Sequence, residues 1–224
     1  MQVASDCGLI REIGGWVLGA AVEHAARWRR TGWPEARVAV NVSSLQLLDG
    51  GFVDRMQELL RRHELAPECV EIELTENVLQ TGPHTIEALR QLRAAGIGIA
   101  LDDFGTGYSS LVSLEQLPLG RVKLDRSLIA SIDSSTRSQA IGRAIISLCH
   151  SLGLAVTAEG VERREQLAWL LDHPAIHLQG HLISRPVGDA DLLPVIAGIP
   201  GRMLSLLKPR PSATTHDIRG KLRA

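Results

Sequence analysis

Cysteine is scarce in this chain of 224 residues, and Cys7, Cys69 and Cys149 are too scattered to form a disulfide framework. Three isolated thiols fit a reduced, cytoplasmic setting. No group of Cys and His has the spacing of a zinc site, which excludes a structural zinc module. An excess of one charge is also lacking. The formal net charge is −1, so nothing global draws the chain to a nucleic-acid duplex, and an anionic ligand has to be attracted by local charge and metal. Long apolar runs are missing as well. None approaches the ~20 residues of a membrane span, so no membrane segment is expected in this chain, although a region upstream of it would be free to tether it. Beyond a βα period there is no internal repeat.

That period is the first positive signal. Six short β-branched runs, Arg37 to Val42, Val70 to Leu74, Ile97 to Leu101, Arg121 to Leu124, Leu154 to Ala158 and Ile176 to Leu178, alternate with longer stretches of helical apolar spacing. The first helical stripe reads Ile13/Val17/Ala21/Ala25/Trp28. Alternating units of this kind predict a parallel α/β fold. Each strand closes on a chemically useful side chain: Asn41, Glu73, the pair Asp102 and Asp103, Lys123, Glu159 and Gln179. In a parallel barrel the active site is built at the carboxyl ends of the strands, so these groups are predicted to share one rim. Hard oxygen donors in that number suit Mg²⁺ or Mn²⁺.

Asp102 and Asp103 carry the strongest local signal, standing between the apolar run Ile97 to Leu101 and the glycine-rich Phe104-Gly105-Thr106-Gly107-Tyr108-Ser109-Ser110. Adjacent acids on an extended strand point to opposite sides, so both reach one site only if the strand ends there and the backbone turns. On these residues alone a capped loop is the alternative. Arg185, in Ser184-Arg185-Pro186, is placed to meet a phosphate oxygen or to be an ordinary surface residue.

Asn41-Val42-Ser43, Glu73-Leu74-Thr75-Glu76, Asp102-Asp103-Phe104-Gly105-Thr106-Gly107, Lys123-Leu124-Asp125, Ala158-Glu159-Gly160-Val161-Glu162 and Gln179-Gly180 resemble, in order, the motifs of the bacterial EAL domain. The resemblance implies a cyclic di-GMP phosphodiesterase that opens the dinucleotide to linear pGpG in a TIM-like (β/α) barrel with a two-metal site of Mg²⁺ or Mn²⁺. It implies that Asn41, Glu73, Asp102, Asp103 and Glu159 are metal ligands. By the same resemblance Lys123, Glu159 and Gln179 serve catalysis, Lys123 at the attacking water and Gln179 in the metal and water network. Arg185 and Pro186 are read as substrate-binding because loops after late barrel strands often bind phosphate, and Glu76 and Glu162 are similar to glutamates that brace the loop after the paired acids. A homodimer formed near that loop is a further implication. A binding module that does not cleave the dinucleotide, or a vestigial interaction domain, is the alternative.

The Glu-Ala-Leu motif that names the family belongs to a strand before everything visible here. Glu87-Ala88-Leu89 is a decoy, since it lies within the helical pattern Ile86/Leu89/Leu92. The expectation is therefore a barrel lacking its first two strands, truncated before that motif and impaired in activity. Residues 1–197 are read as the partial domain. Residues 198–224, with Arg202, Lys208, Arg210, Arg219, Lys221 and Arg223, are read as a disordered basic tail.

Overall fold

The structure is a computed structural model that describes residues 9–106, 111–173 and 175–207. Helix α1 (Ile10–Thr31) leads into β1 (Val38–Asn41), a short α2 (Ser44–Leu47) and α3 (Phe52–Arg62). Then follow β2 (Val70–Leu74), α4 (Pro83–Ala94), β3 (Gly98–Phe104), α5 (Leu111–Gln116) and β4 (Arg121–Leu124). The chain continues through α6 (Arg126–Ile129), α7 (Thr136–Ser151), β5 (Ala155–Ala158), α8 (Arg164–Leu171), β6 (Ile176–Leu178) and α9 (Asp189–Leu207). All six strands are parallel and lie in sequence order, each hydrogen-bonded to the next. That is the α/β arrangement the period predicts.

Strand alternation gives the sheet two different faces. Val40, Ile72, Leu74, Ile99, Leu101, Val122, Leu124 and Val156 are buried in one continuous core. The opposite face carries Asn41, Glu71, Glu73, Arg121, Lys123 and Thr157, and small residues between them give these long side chains room. At the lower level Arg121 Nε lies 3.0 Å from Glu71 Oε2 and its Nη1 donates to Thr157 Oγ1 at 3.1 Å. That pair links β2 to β4 across β3, where Gly98 stands opposite Glu71 and a Cβ would come within 3.2 Å of the Glu71 side chain. One level higher Glu73 and Lys123 meet in the same way, with Ala100 opposite Glu73.

Three expectations are corrected by the structure. Strand β3 does not stop at Leu101 but runs through both acids to Phe104, with a register shift against β4 between Leu101 and Phe104. In α1 Ala25 of the expected stripe is buried, but Ile13 is 46% and Val17 37% exposed, and the buried face is made by Ile10, Leu18, Val22, Ala25 and Ala26. Gly14 lies in line with Ile10, Leu18 and Val22, and a Cβ there would strike the Gln46 side chain, so a glycine on this face lets the helix approach α2 closely. The third correction concerns the tail. Helix α9 runs through the boundary at 197 to Leu207 despite Pro194 and Pro200, because Met203 and Leu206 pack on the core and Arg202 donates to the Ile183 carbonyl at 2.8 Å. Tertiary contacts override the poor helix propensity of this segment. Residues 208–224 lie outside the described residues.

Candidate active site

The rim is assembled around one ammonium group. Lys123, at the end of β4, places its Nζ 2.8 Å from Glu73 Oε1, 3.0 Å from Asp102 Oδ1 and 2.7 Å from Glu159 Oε1. Its three N–H donors thus meet carboxylates from the ends of β2 and β5 and from β3. Lys123, Glu73 and Asp102 are all buried. Asn41, paired in register with Glu73, donates from Nδ2 to Glu73 Oε2 at 3.3 Å and completes the edge at β1.

A bulge brings the two adjacent acids to one site. Asp103 has a φ of 55°, a left-handed conformation that breaks the alternation within β3 without ending the strand. Asp102 is left buried and Asp103 exposed, yet Asp102, Asp103 and Glu159 offer carboxylate oxygens that all lie within 4.8 Å of one another. Three hard oxygen donors so close together fit a small divalent cation. The backbone amide of Asp103 also donates to Asp102 Oδ1 at 3.0 Å, which fixes the rotamer of the buried acid.

Charge on the rim is finely divided. Burial works against the Lys123 ammonium, but hydrogen bonds to Glu159, Glu73 and Asp102 outweigh it and hold the lysine protonated well above its ordinary range. At Glu73 burial raises the carboxyl, and repulsion from Asp102 and Glu159 adds to it against the pull of Lys123. Burial likewise raises Asp103, with Asp102 and Asp125 repelling its charge. The rim therefore carries more negative charge than its lysine neutralises. A cation would relieve it.

Beside the rim lies a cleft of about 410 Å³ lined by Glu159, Gln179, Arg126, Glu162, Arg185 and Pro186, among others. Gln179 is exposed, and its position is set by the backbone: its amide donates to the Ala158 carbonyl at 2.9 Å and its carbonyl accepts from Val161 at 3.1 Å. Glu162 lies 3.4 Å from Arg126 and 4.0 Å from His181 Nδ1. Arg126 was not among the residues singled out in the sequence, although it follows directly on the β4 motif, where strand-end position was the available signal. Glu76 follows β2 in a 3₁₀ turn, Glu76–Thr81, with its Oε1 buried and unpartnered among the described residues. The loop that Glu76 and Glu162 were expected to brace, residues 107–110, lies outside the described residues, as does the dimer contact expected beside it. Glu87, the decoy, sits on α4 with its side chain 57% exposed and 3.9 Å from Arg90, and it is not among the acids that meet Lys123 or one another at the rim.

The sequence pattern of the EAL domain matches residues 1–186. The chain belongs to the EAL domain family. It is 38% identical over 198 residues to the bifunctional diguanylate cyclase/cyclic di-GMP phosphodiesterase MucR of Pseudomonas aeruginosa, covering 88% of this chain and 29% of that protein. With the cyclic di-GMP phosphodiesterase NbdA of the same species it shares 40% identity over 191 residues, covering 85% of this chain and 24% of the relative. The chain thus spans less than a third of the length of these curated relatives. Among solved structures, the PaMucR phosphodiesterase in complex with c-di-GMP superposes with a TM-score of 0.79 at 38% identity, covering 85% of this chain and 78% of that one. A manganese and c-di-GMP complex of Klebsiella pneumoniae BlrP1 gives a TM-score of 0.73 at 31% identity, covering 80% and 45%. The six parallel βα units of this EAL domain are accordingly those of a TIM-like barrel, with the rim at the strand ends where such folds place their chemistry.

Proposed function

We propose that this EAL domain hydrolyses cyclic di-GMP to linear pGpG with Mg²⁺ or Mn²⁺, and the observation that carries the reading is the convergence of Glu73, Asp102 and Glu159 on Lys123 with Asp103 alongside. Asp102, Asp103 and Glu159 are the oxygen donors for a cation, with Glu73 and Asn41 completing the set at the β1–β2 edge. When bound, divalent cations supply Lewis-acid charge that polarises a phosphodiester and makes a water more acidic.

The protein's own groups divide the remaining work. Lys123 is held protonated, so it acts as a fixed positive charge beside the attacking water and the phosphoryl oxygens, not as a base. The proton then passes to a carboxylate, and Glu159, 2.7 Å from Lys123 Nζ and lining the adjoining cleft, is the acceptor. Water oxygen bonds to phosphorus while the bond to the 3′ oxygen breaks, and the proton taken up is returned to that oxygen. Gln179, which lines the cleft with Arg185 and Pro186, orients the water network, and Arg185 binds a phosphate of the dinucleotide. Among the described residues β1 and β6 each pair on one side only. A rim delivered from an open arc is held less rigidly than a closed one, so this sequence alone is expected to turn over slowly.

The test is hydrolysis of cyclic di-GMP by the purified chain in Mn²⁺ or Mg²⁺, followed by chromatography of the linear product, with a chelator control. Asp102→Asn should abolish both cleavage and Mn²⁺ binding. Lys123→Ala should keep the metal and lose the chemical step. Metal-independent cleavage, or full rescue of Lys123→Ala by added Mn²⁺, would contradict these roles.

A further inference from the structure

We infer that Arg126 and Glu162 read the base of the nucleotide half that enters the cleft beside the rim, and that this pair sets a preference for guanine over adenine. The inference rests on the cyclic di-GMP reading above and adds a specificity-determining pair to it. At about 410 Å³ the cleft stands at the small end of cavities that enclose a ligand, about 300–1,000 Å³, and so suits one nucleotide half and not a whole dinucleotide. It meets the rim through Glu159 and contains Arg185, assigned above to a phosphate. Arg126 and Glu162 line the same cleft and are left for the base.

Both side chains are carried on backbone that the fold ties together. Arg126 opens α6, and its stem lies across Gly160, where the φ is 68° and a Cβ would come within 2.5 Å of Arg126 Cγ. Glu162 stands two residues further along that loop. Its amide donates at 2.9 Å to Oε1 of Gln166, a buried side chain whose Nε2 donates at 3.0 Å to the Ile129 carbonyl at the end of α6. Gln166 thus fixes the loop that carries Glu162 to the helix that carries Arg126. Between the two side chains, by contrast, the contact is loose. Arg126 Nη2 lies 3.4 Å from each Glu162 oxygen, beyond the roughly 2.7–2.9 Å of a strong charge-assisted bond. The arginine side chain is 66% exposed, and an exposed ion pair of this length adds little to stability. The frame therefore holds the two groups side by side while leaving their donors and acceptors open to a ligand.

A guanidinium fork beside a carboxylate presents donors next to acceptors. Guanine presents the complement. Its O6 and N7 accept from an arginine fork, and its N1–H and N2 amino group, next along the ring, donate to a carboxylate. Adenine inverts both positions: its N6 amino group would point a donor at Arg126, and its N1 lone pair would meet the Glu162 oxygens. A site built to pair both groups of one base leaves them unpaired with the other, and that is how a polar pocket discriminates most strongly.

The experiment is equilibrium titration of the full chain with cyclic di-GMP and with cyclic di-AMP in Ca²⁺, with chromatography to confirm that the nucleotide stays intact, alongside hydrolysis of both in Mn²⁺. The chain is expected to bind cyclic di-GMP at least about tenfold more tightly than cyclic di-AMP. Arg126→Lys keeps the positive charge and loses the fork, so it should bring the two affinities to within about threefold of each other with an unchanged circular dichroism spectrum. Glu162→Gln, which replaces one acceptor by a donor, should narrow the preference as well. A parent that binds neither dinucleotide, or both equally, overturns the inference. So does an Arg126→Lys protein that keeps the full preference, including one that loses affinity for both dinucleotides in equal measure, since that marks a phosphate contact. Selective binding without hydrolysis in Mn²⁺ would support the pair and remove the hydrolase reading, whereas hydrolysis of both dinucleotides at equal kcat/KM would do the reverse.

Discussion

Asp103→Asn should stabilise the metal-free protein while removing its response to metal. Asp103 sits at φ 55°, a conformation that asparagine adopts more readily than most residues, so the bulge in β3 is kept. Its carboxylate is held against partial burial and against the charges of Asp102 and Asp125, and the amide removes both conflicts. For an exposed position the gain is expected at about 0.5 kcal/mol, or roughly 1–2 °C in melting temperature for a chain of this size. The sign with pH follows from the direction of the shift. Because the folded carboxyl is raised, its unfavourable charge forms as pH climbs from the ordinary carboxylate range through the raised value, and stability falls over that window. The variant escapes this loss, so its lead should open with rising pH and close in acid, where Asp103 is protonated. With Mn²⁺ at about a hundred times its dissociation constant the parent should gain about 2.7 kcal/mol, or roughly 5–10 °C, and the variant little. Thermal melts in chelator and in Mn²⁺, from mildly acidic to neutral pH, give both readouts. An Asp103→Asn protein that melts below its parent in chelator at neutral pH, or that keeps the full Mn²⁺ shift, refutes the reasoning.

Asp133 receives two hydrogen bonds from Arg163, each 2.8 Å, and its carboxyl is lowered chiefly by them. Asp133→Asn should therefore melt lower at neutral pH, with the deficit fading as pH falls through the depressed carboxyl value, and a gap independent of pH would count against the pair. Gly180 has a φ of 159°, and a Cβ there would run into the backbone of Val161, which is hydrogen-bonded to Gln179. Gly180→Ala should cost at least about 2 kcal/mol in urea unfolding; a cost near zero would show that the loop can move aside. Glu87→Ala, on the outer helix α4, should change stability by no more than about 0.5 kcal/mol and leave hydrolysis of cyclic di-GMP untouched. Lost metal binding with the fold intact would mean that the rim has been placed in the wrong register.

The strand ends were legible in the sequence because two separate rules coincide there. A β-branched run must be covered, and the polar residue that closes it must stand at the rim, so Asn41, Glu73, Lys123 and Glu159 announce both the fold and the site. What the sequence left hidden is set by contacts between elements. Alternation along β3 predicts that Asp102 and Asp103 diverge, and a turn after Leu101 was the available escape. The structure uses a bulge within the strand, which depends on pairing with β4 and leaves no mark beyond Gly105. In α1 Ile13 and Val17 of the expected stripe are exposed while its Ala25 is buried, because close approach to α2 is made at Gly14 and Gln46. Periodicity reports that a helix has an apolar stripe; it does not report which of two stripes meets the core. Arg126 was missed for a related reason. It is the third residue after Lys123, and only the path of the chain through Asp125 and into α6 brings it to the wall shared by Glu159 and Arg185. Each hidden feature is thus a place where one element's conformation is fixed by its neighbour, and the legible ones are those where a residue's own chemistry leaves it a single place to stand.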